Sequence, residues 1–263
     1  ALKRIERDAE QTLPVGYAAY AARDSAQTDL IVSNSALMTK IYRESFWYEG
    51  EVAEFGAPRN DILFAPAGDV KQKVCAALGV PVQRSLALYA PTFRADGNMN
   101  AYCVDYARLQ HALQRRFGGN WAILIRLHPH VMQQAQALQF DGETTFDATR
   151  YDDMQELLAT ADAVISDYSS LMFDYGLTGR PCFQFAVDIE AYRKDRNFYF
   201  SLDQMPFPLA QDNDALERAV LEWREEEAAR TWKIFCETFG IQEDGKASAR
   251  CADWILDKMD TKA

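Results

Sequence analysis

Histidine is scarce and paired metal-binding cysteines are missing: the 263 residues hold three histidines and five cysteines, with no C-x-x-C spacing. A structural zinc site needs four such ligands at short spacings, so none is expected. Cys75, Cys103, Cys182, Cys236 and Cys251 are odd in number and widely spaced, which suits reduced, mostly buried thiols better than a disulfide framework. No apolar run approaches the roughly 20 residues that span a bilayer. The opening ALKRIERDAEQ has no apolar core of the signal-peptide kind and no initiator Met, so the chain is expected to begin inside a longer protein. Positive charge is also short, with 28 Lys and Arg against 39 Asp and Glu and a net charge of -11. Such a surface is repelled by phosphate backbones and anionic lipids, which argues against nucleic acid as a partner while leaving room for a local pocket holding one small anion.

What is present is the balance of an ordinary globular protein, 48% hydrophobic and 25% charged, enough for a core that needs no staple. Short apolar runs alternate with helical patterns, the rhythm of a Rossmann-like parallel sheet flanked by helices, an α/β fold. Strands are expected at 30–32, 52–55, 86–90, 121–127, 144–146, 163–166 and 182–186. Helices are expected at 36–46, 69–78, 106–117, 154–161, 169–177, 213–239 and 248–258. A boundary falls near Gly56 to Asp61. Residues 1–57 hold too few strands to stand alone and read as the end of an N-terminal, acceptor-side lobe whose main part is absent. Residues 58–263 read as a second lobe with C-terminal helices.

Ligands of open parallel sheets bind outside the carboxyl ends of the strands, and three strand ends carry polar residues suited to an anion. Ser166-Asp167-Tyr168-Ser169-Ser170 opens a helix, where free N–H groups and two hydroxyls would accept phosphate oxygens; Ser169 reads equally well as a plain N-cap. Arg126-Leu127-His128-Pro129 offers a guanidinium fork and an imidazole able to stabilise charge or move a proton; alternatively, His128 only donates to a neighbouring carbonyl. Thr92 and Arg94 follow Pro91, and Arg94 could hold phosphate or pair with Asp96 or another surface acid. Gly56-Ala57-Pro58-Arg59-Asn60-Asp61 could bind substrate or cap the next element. His130 reads as a helix opener and His111 as a surface residue.

In order and wording these segments resemble the CDP-glycerol glycerophosphotransferase family, the polymerases and primases of wall teichoic acid and related capsule polymers. The resemblance runs through GAPRNDIL (56–63), YAPTFR (89–94), RLHP (126–129), ADAVISDYSSLMFDYGLTGRPCFQF (161–185), DIEAYRKDRNFYF (188–200) and DGKASAR (244–250). It implies a GT-B-like architecture in which most of this chain is the CDP-donor-binding lobe. By motif, Ser169 and Ser170 would hold the diphosphate and His128 would contact the phosphate under attack. Asp167 and Asp174 would shape the site, with Asp174 near the ribose. Arg94, Arg126, Arg59 and Thr92 are added from chemistry and position. Family members carry a Trp-His-Gly segment whose His is the proposed general base; this chain starts about two residues after it and so would lack that base.

The implied reaction is attack by an acceptor hydroxyl on the β-phosphorus of CDP-glycerol or a related CDP-polyol, releasing CMP, with no cofactor and no metal. The implied acceptor is a polyol-phosphate or glycan chain carried on a lipid. The enzyme would lie in the cytoplasm, peripheral at the inner face of the membrane through parts outside this chain. The rivals are a GT-B sugar-nucleotide glycosyltransferase or epimerase, and a non-catalytic donor-binding lobe.

Overall fold

The computed structural model describes residues 2–94, 102–127, 140–189 and 198–260. Its regular elements begin with α1 (Tyr17–Ser25), β1 (Leu30–Val32), α2 (Ala36–Ser45), β2 (Glu51–Ala53), α3 (Gly68–Leu78), β3 (Ser85–Tyr89), α4 (Tyr106–Phe117), β4 (Trp121–Ile125) and β5 (Thr145–Asp147). They continue with α5 (Met154–Thr160), β6 (Ala163–Ser166), α6 (Leu171–Gly176), β7 (Cys182–Phe185), β8 (Leu209–Ala210), α7 (Asn213–Glu222), α8 (Glu225–Phe239) and α9 (Ala247–Asp260). The chain divides into two compact units, one of residues 1–65, 194–204 and 233–263, the other of residues 66–193 and 205–232. This line differs from the expected 57/58 boundary, because α9 clusters with the N-terminal segment and not with the sheet.

In the first unit β1 and β2 pair in parallel, Leu30 opposite Glu51. Ser35 caps α2 by accepting from the Met38 amide at 3.1 Å. The GAPRND loop is stitched to the C-terminal segment. Asp61 accepts from the amides of Ala247 and Ser248, at 3.0 and 2.8 Å, and so caps α9. Glu243 accepts from the Ala57 amide and from the side chains of Asn34 and Asn60, each at 3.0 Å. Gly56 sits at φ 91, and a Cβ there would meet the Glu243 carboxylate at 2.9 Å. Of the two readings of this loop, Asn60 and Asp61 follow the capping one.

The second unit is a six-stranded, all-parallel sheet in the order β5-β4-β3-β6-β7-β8. Parallel strands covered on both faces must be apolar throughout, and Leu86 to Tyr89, Trp121 to Ile125 and Ala163 to Ile165 are buried without exception. Alternate residues face opposite ways. Tyr89, Ile123, Ile125, Ile165 and Phe183 share one core with Leu109 and Leu113 of α4 and Leu216 and Val220 of α7. Leu88, Leu124 and Val164 point to the other side, where α5 packs on β3 and α3 on α5. Aspartates set the helix starts: Asp105 caps α4, Asp153 α5 and Asp212 α7. From β3 the chain moves outward through β4 to β5, then returns to β6 on the other side of β3. The β3/β6 junction is therefore the point where strand order reverses, the usual ligand crevice of such sheets.

Three expectations need correction. The single helix at 213–239 is two, broken at Trp223 (ψ 134). The Trp223 carbonyl accepts from Arg116 Nε and Nη2 at 2.9 and 2.6 Å, and its ring packs edge-on against Phe117 at 5.6 Å. Those contacts with α4 win over helix continuation. The helix expected from Ser169 starts at Leu171 and is six residues long. The cysteines are all unbonded, but only Cys75 and Cys182 are buried, while Cys103 is exposed.

Candidate functional site

The register lines up the expected segments. Tyr89 of β3 stands opposite Ile125 of β4 and Ile165 of β6. One residue further on, Arg126, Ala90 and Ser166 form a row across three neighbouring strands, joined by Arg126 N–H to Tyr89 O (2.9 Å) and Ala90 N–H to Ile165 O (3.0 Å). Strands lie about 4.8 Å apart, so the row spans ~10 Å from β4 to β6. Thr92, Arg94, Arg126, Asp167, Ser169 and Ser170 thus all issue from one edge of the sheet.

Arg94 is turned into the protein. Its Nε donates to Asp188 Oδ2 at 2.6 Å, and its Nη2 to Asp188 Oδ1 at 3.0 Å and Asp167 Oδ2 at 2.8 Å. Its Nη1 donates to the Thr92 carbonyl at 2.6 Å. The side chains of Arg94, Asp167 and Asp188 are 6%, 2% and 14% exposed. Burial opposes the charge on Arg94, but the two carboxylates outweigh it and hold the guanidinium pKa above its ordinary value. Burial would likewise raise the Asp188 carboxyl; the hydrogen bonds from Arg94 and Tyr168 bring it below the usual range.

Two carboxylates on one cation leave an excess negative charge, and neutral donors stabilise it. Asp167 Oδ1 accepts from the Thr92 amide (2.9 Å), the Thr92 hydroxyl (2.6 Å) and the Tyr168 amide (2.6 Å). Asp188 Oδ1 accepts from the Tyr168 hydroxyl at 3.0 Å. The expectation that Thr92, Arg94 and Asp167 face a ligand is therefore met by a different geometry, in which all three point at one another. Arg94 is ion-paired, but its partners are the enclosed Asp167 and Asp188 and not the surface acid that the sequence suggested.

Arg126 is the opposite case. It is half-buried, and among the described residues its guanidinium makes no ion pair and no hydrogen bond. Burial lowers its pKa, an effect that Asp153 and Asp152 partly oppose at longer range. A partly desolvated cation without a counter-ion is a place where an anion gains most.

Ser169 and Ser170 follow β6, on the side of β3 away from Arg126. Ser169 Oγ accepts weakly from the Leu171 amide at 3.4 Å. Ser170 is exposed, sits at the N-cap of α6 and makes no side-chain cap bond. Asp174, 8% exposed, accepts from Gln155 of α5 at 3.2 Å, so it ties two helices together. Arg59 is exposed on the 3-10 turn Pro58–Phe64 of the first unit. His128 and His130 lie outside the described residues. His111 is exposed on α4. No group of three or more His, Cys, Asp or Glu among the described residues is arranged to hold a metal, and none of their helices is long and apolar enough to cross a membrane.

Two members of the buried network were not singled out from sequence, Asp188 and Tyr102, whose hydroxyl accepts from the Arg94 amide and donates to the Thr92 carbonyl, both at 3.2 Å. Asp188 had a signal: it is an acid just past the apolar run of β7, as Asp167 is just past β6.

A parallel sheet with its polar side chains gathered at the strand-order reversal defines a Rossmann-like α/β unit, and a solved structure identifies the fold as GT-B-like. The wall teichoic acid polymerase TagF superposes with a TM-score of 0.80 at 29% identity, covering 99% of this chain and 66% of that one. The model of the CDP-Glycerol:Poly(glycerophosphate) glycerophosphotransferase family matches residues 1–257, and the chain belongs to that family. A teichoic acid poly(glycerol phosphate) polymerase of Staphylococcus epidermidis is 32% identical over 244 residues, 89% of this chain and 33% of the relative. A teichoic acid poly(ribitol-phosphate) polymerase of Bacillus spizizenii is 30% identical over 252 residues, 93% of this chain and 40% of the relative. The chain thus spans between a third and two fifths of the length of these two relatives.

Proposed function

We propose that this chain is the donor-binding part of a transferase that moves glycerol phosphate, or a related polyol phosphate, from a CDP-linked donor to the hydroxyl end of a teichoic-acid-like or capsular polymer, releasing CMP. Family membership supports the reaction class. The observation that carries the site is the half-buried guanidinium of Arg126, unpaired among the described residues, in the same cross-sheet row as the start of the Ser166–Ser170 segment. Arg126 binds the donor diphosphate, and the Ser169–Ser170 turn supplies hydroxyl and amide donors to it. His128, two residues beyond Arg126, neutralises charge that builds on the departing CMP. In such transfers, positioning and charge stabilisation do most of the work. Arg94, Thr92 and Asp167 hold the crevice from beneath. Asp174 steadies α6 against α5.

Residues 1–57 belong to the acceptor-side lobe and 58–263 to the donor lobe. The acceptor is a polyol-phosphate or glycan chain on a lipid carrier, and the enzyme meets it at the inner face of the membrane through parts outside this chain. The relatives include glycerol- and ribitol-phosphate polymerases, so donor choice is tested directly. The full-length protein is titrated calorimetrically with CDP-glycerol, CDP-ribitol and UDP-N-acetylglucosamine, and CMP release is followed with each CDP-polyol. Binding of a CDP-polyol in preference to the UDP-sugar, and loss of CMP release in Ser169→Ala and His128→Ala, are expected. Selective UDP-sugar binding would favour the glycosyltransferase or epimerase reading instead.

A further inference from the structure

Asp188 reaches both Arg94 and Tyr168, the two supports of the serine turn. Its two oxygens take the Arg94 fork, Nε to Oδ2 at 2.6 Å and Nη2 to Oδ1 at 3.0 Å, and Arg94 Nη2 continues to Asp167 at 2.8 Å. Its Oδ1 also takes the hydroxyl of Tyr168, at 3.0 Å. Tyr168 immediately precedes Ser169 and is 1% exposed. Its amide is held by Asp167 Oδ1 at 2.6 Å, and Arg94 lies over its ring at 5.0 Å from the centroid. The amide, hydroxyl and ring of the residue leading into the turn are thereby held, and two of these three contacts pass through Asp188 or its arginine partner.

We propose that Asp188 is a positioning residue: it clamps the ends of β3, β6 and β7 together through Arg94 and Tyr168, and so sets where Ser169 and Ser170 present their donors. A hydrogen-bonded network that is largely shielded from water rigidifies the groups it joins. Stability alone would be served as well by apolar side chains of the same volume. What the ionic clamp adds is a single arrangement of the turn. Asp188 does not touch the donor; it acts through Tyr168 and Arg94. The activity part of this inference rests on the transferase reading above, whereas the clamp itself is a statement about the turn.

The test uses Asp188→Asn, Tyr168→Phe and the double variant in the full-length protein, with two independent readouts. Amide hydrogen exchange is measured at residues 168–171, against β4 and α9 as internal controls. Steady-state CMP release from CDP-glycerol gives kcat and KM. In Asp188→Asn, exchange at 168–171 should rise about tenfold while the controls hold. There kcat should fall about tenfold with KM changed less than about threefold, the pattern of an alignment needed only in the transition state. Tyr168→Phe should show a smaller version, and the double variant should be no worse than Asp188→Asn, because both act on one clamp. Unchanged exchange at 168–171, exchange raised evenly through the second unit, or additive losses in the double variant would each overturn the clamp. If the wild-type protein releases no CMP from either CDP-polyol, the transferase reading fails, and the exchange data alone decide the clamp.

Discussion

Arg94 and Arg126 leave neighbouring strands of one sheet, β3 and β4, at the same edge and within one protein unit. Arg94 is 6% exposed and bound by two carboxylates. Arg126 is half-buried, and among the described residues its guanidinium makes no ion pair or hydrogen bond. One guanidinium is consumed in holding the strand ends together; under the proposed function, the other is the one that faces the ligand. A cation already neutralised by two acids has little attraction left for a diphosphate, whereas one that is partly desolvated and unpaired has its full charge to offer.

The comparison breaks most sharply at Arg94. Arg94→Ala leaves Asp167 and Asp188 buried without a counter-charge, which should destabilise the protein by ~3–5 kcal/mol, read as a lower urea midpoint. Arg126→Ala should leave that midpoint nearly unchanged. It should instead weaken CDP-glycerol binding by the worth of charge-assisted hydrogen bonds, ~1.5–3 kcal/mol, or about 10- to 150-fold in the calorimetric Kd. If Arg126→Ala unfolds the protein while Arg94→Ala spares it, the assignment of the two arginines is reversed. Arg126→Lys keeps the charge but loses the planar fork, so a Kd only about threefold weaker is expected, with a steeper fall as salt is raised.

The smallest effect is on the acid limb of stability. The Asp188 carboxyl is depressed in the folded protein. Its contribution is therefore present above the unfolded-state value, near 3.9, and is lost as the pH falls through the lower, folded value. Urea midpoints measured between neutral pH and pH 3 should fall less steeply in Asp188→Asn than in the wild type. Parallel curves would mean that Arg94 does not depend on Asp188.

Much of this was legible in the chain. The sheet could be read because its strands are buried on both faces and so are nearly pure apolar runs, and the strand ends could be read because polarity resumes there abruptly. The orientation of Arg94 could not. Nothing in Pro91-Thr92-Phe93-Arg94 says which way the guanidinium turns, since that is decided by Asp188, 94 residues further on. The break at Trp223 was hidden for the same reason: local helical pattern runs through it, and only the capture of its carbonyl by Arg116 stops the helix. The serine pair was read as the opening of a helix, but α6 begins only at Leu171, two residues after Ser169. Where local preference decides, as in the aspartate caps of α4, α5 and α7, little beyond the chain itself was required.

The seam between Glu243 and the GAPRND loop bears on how the molecule is made. Ala57 and Glu243 are 186 residues apart, and the first unit draws on residues 1–65 as well as 233–263. On the ribosome, the leading portion of that unit emerges early and must wait, with Asp61 and Asn60 lacking their mates, while the whole parallel sheet is translated and folds. The second unit can mature on its own schedule. The first is completed only once residues 233–263 have been made, so a nascent chain stalled before Lys233 would leave its opening segment without these contacts.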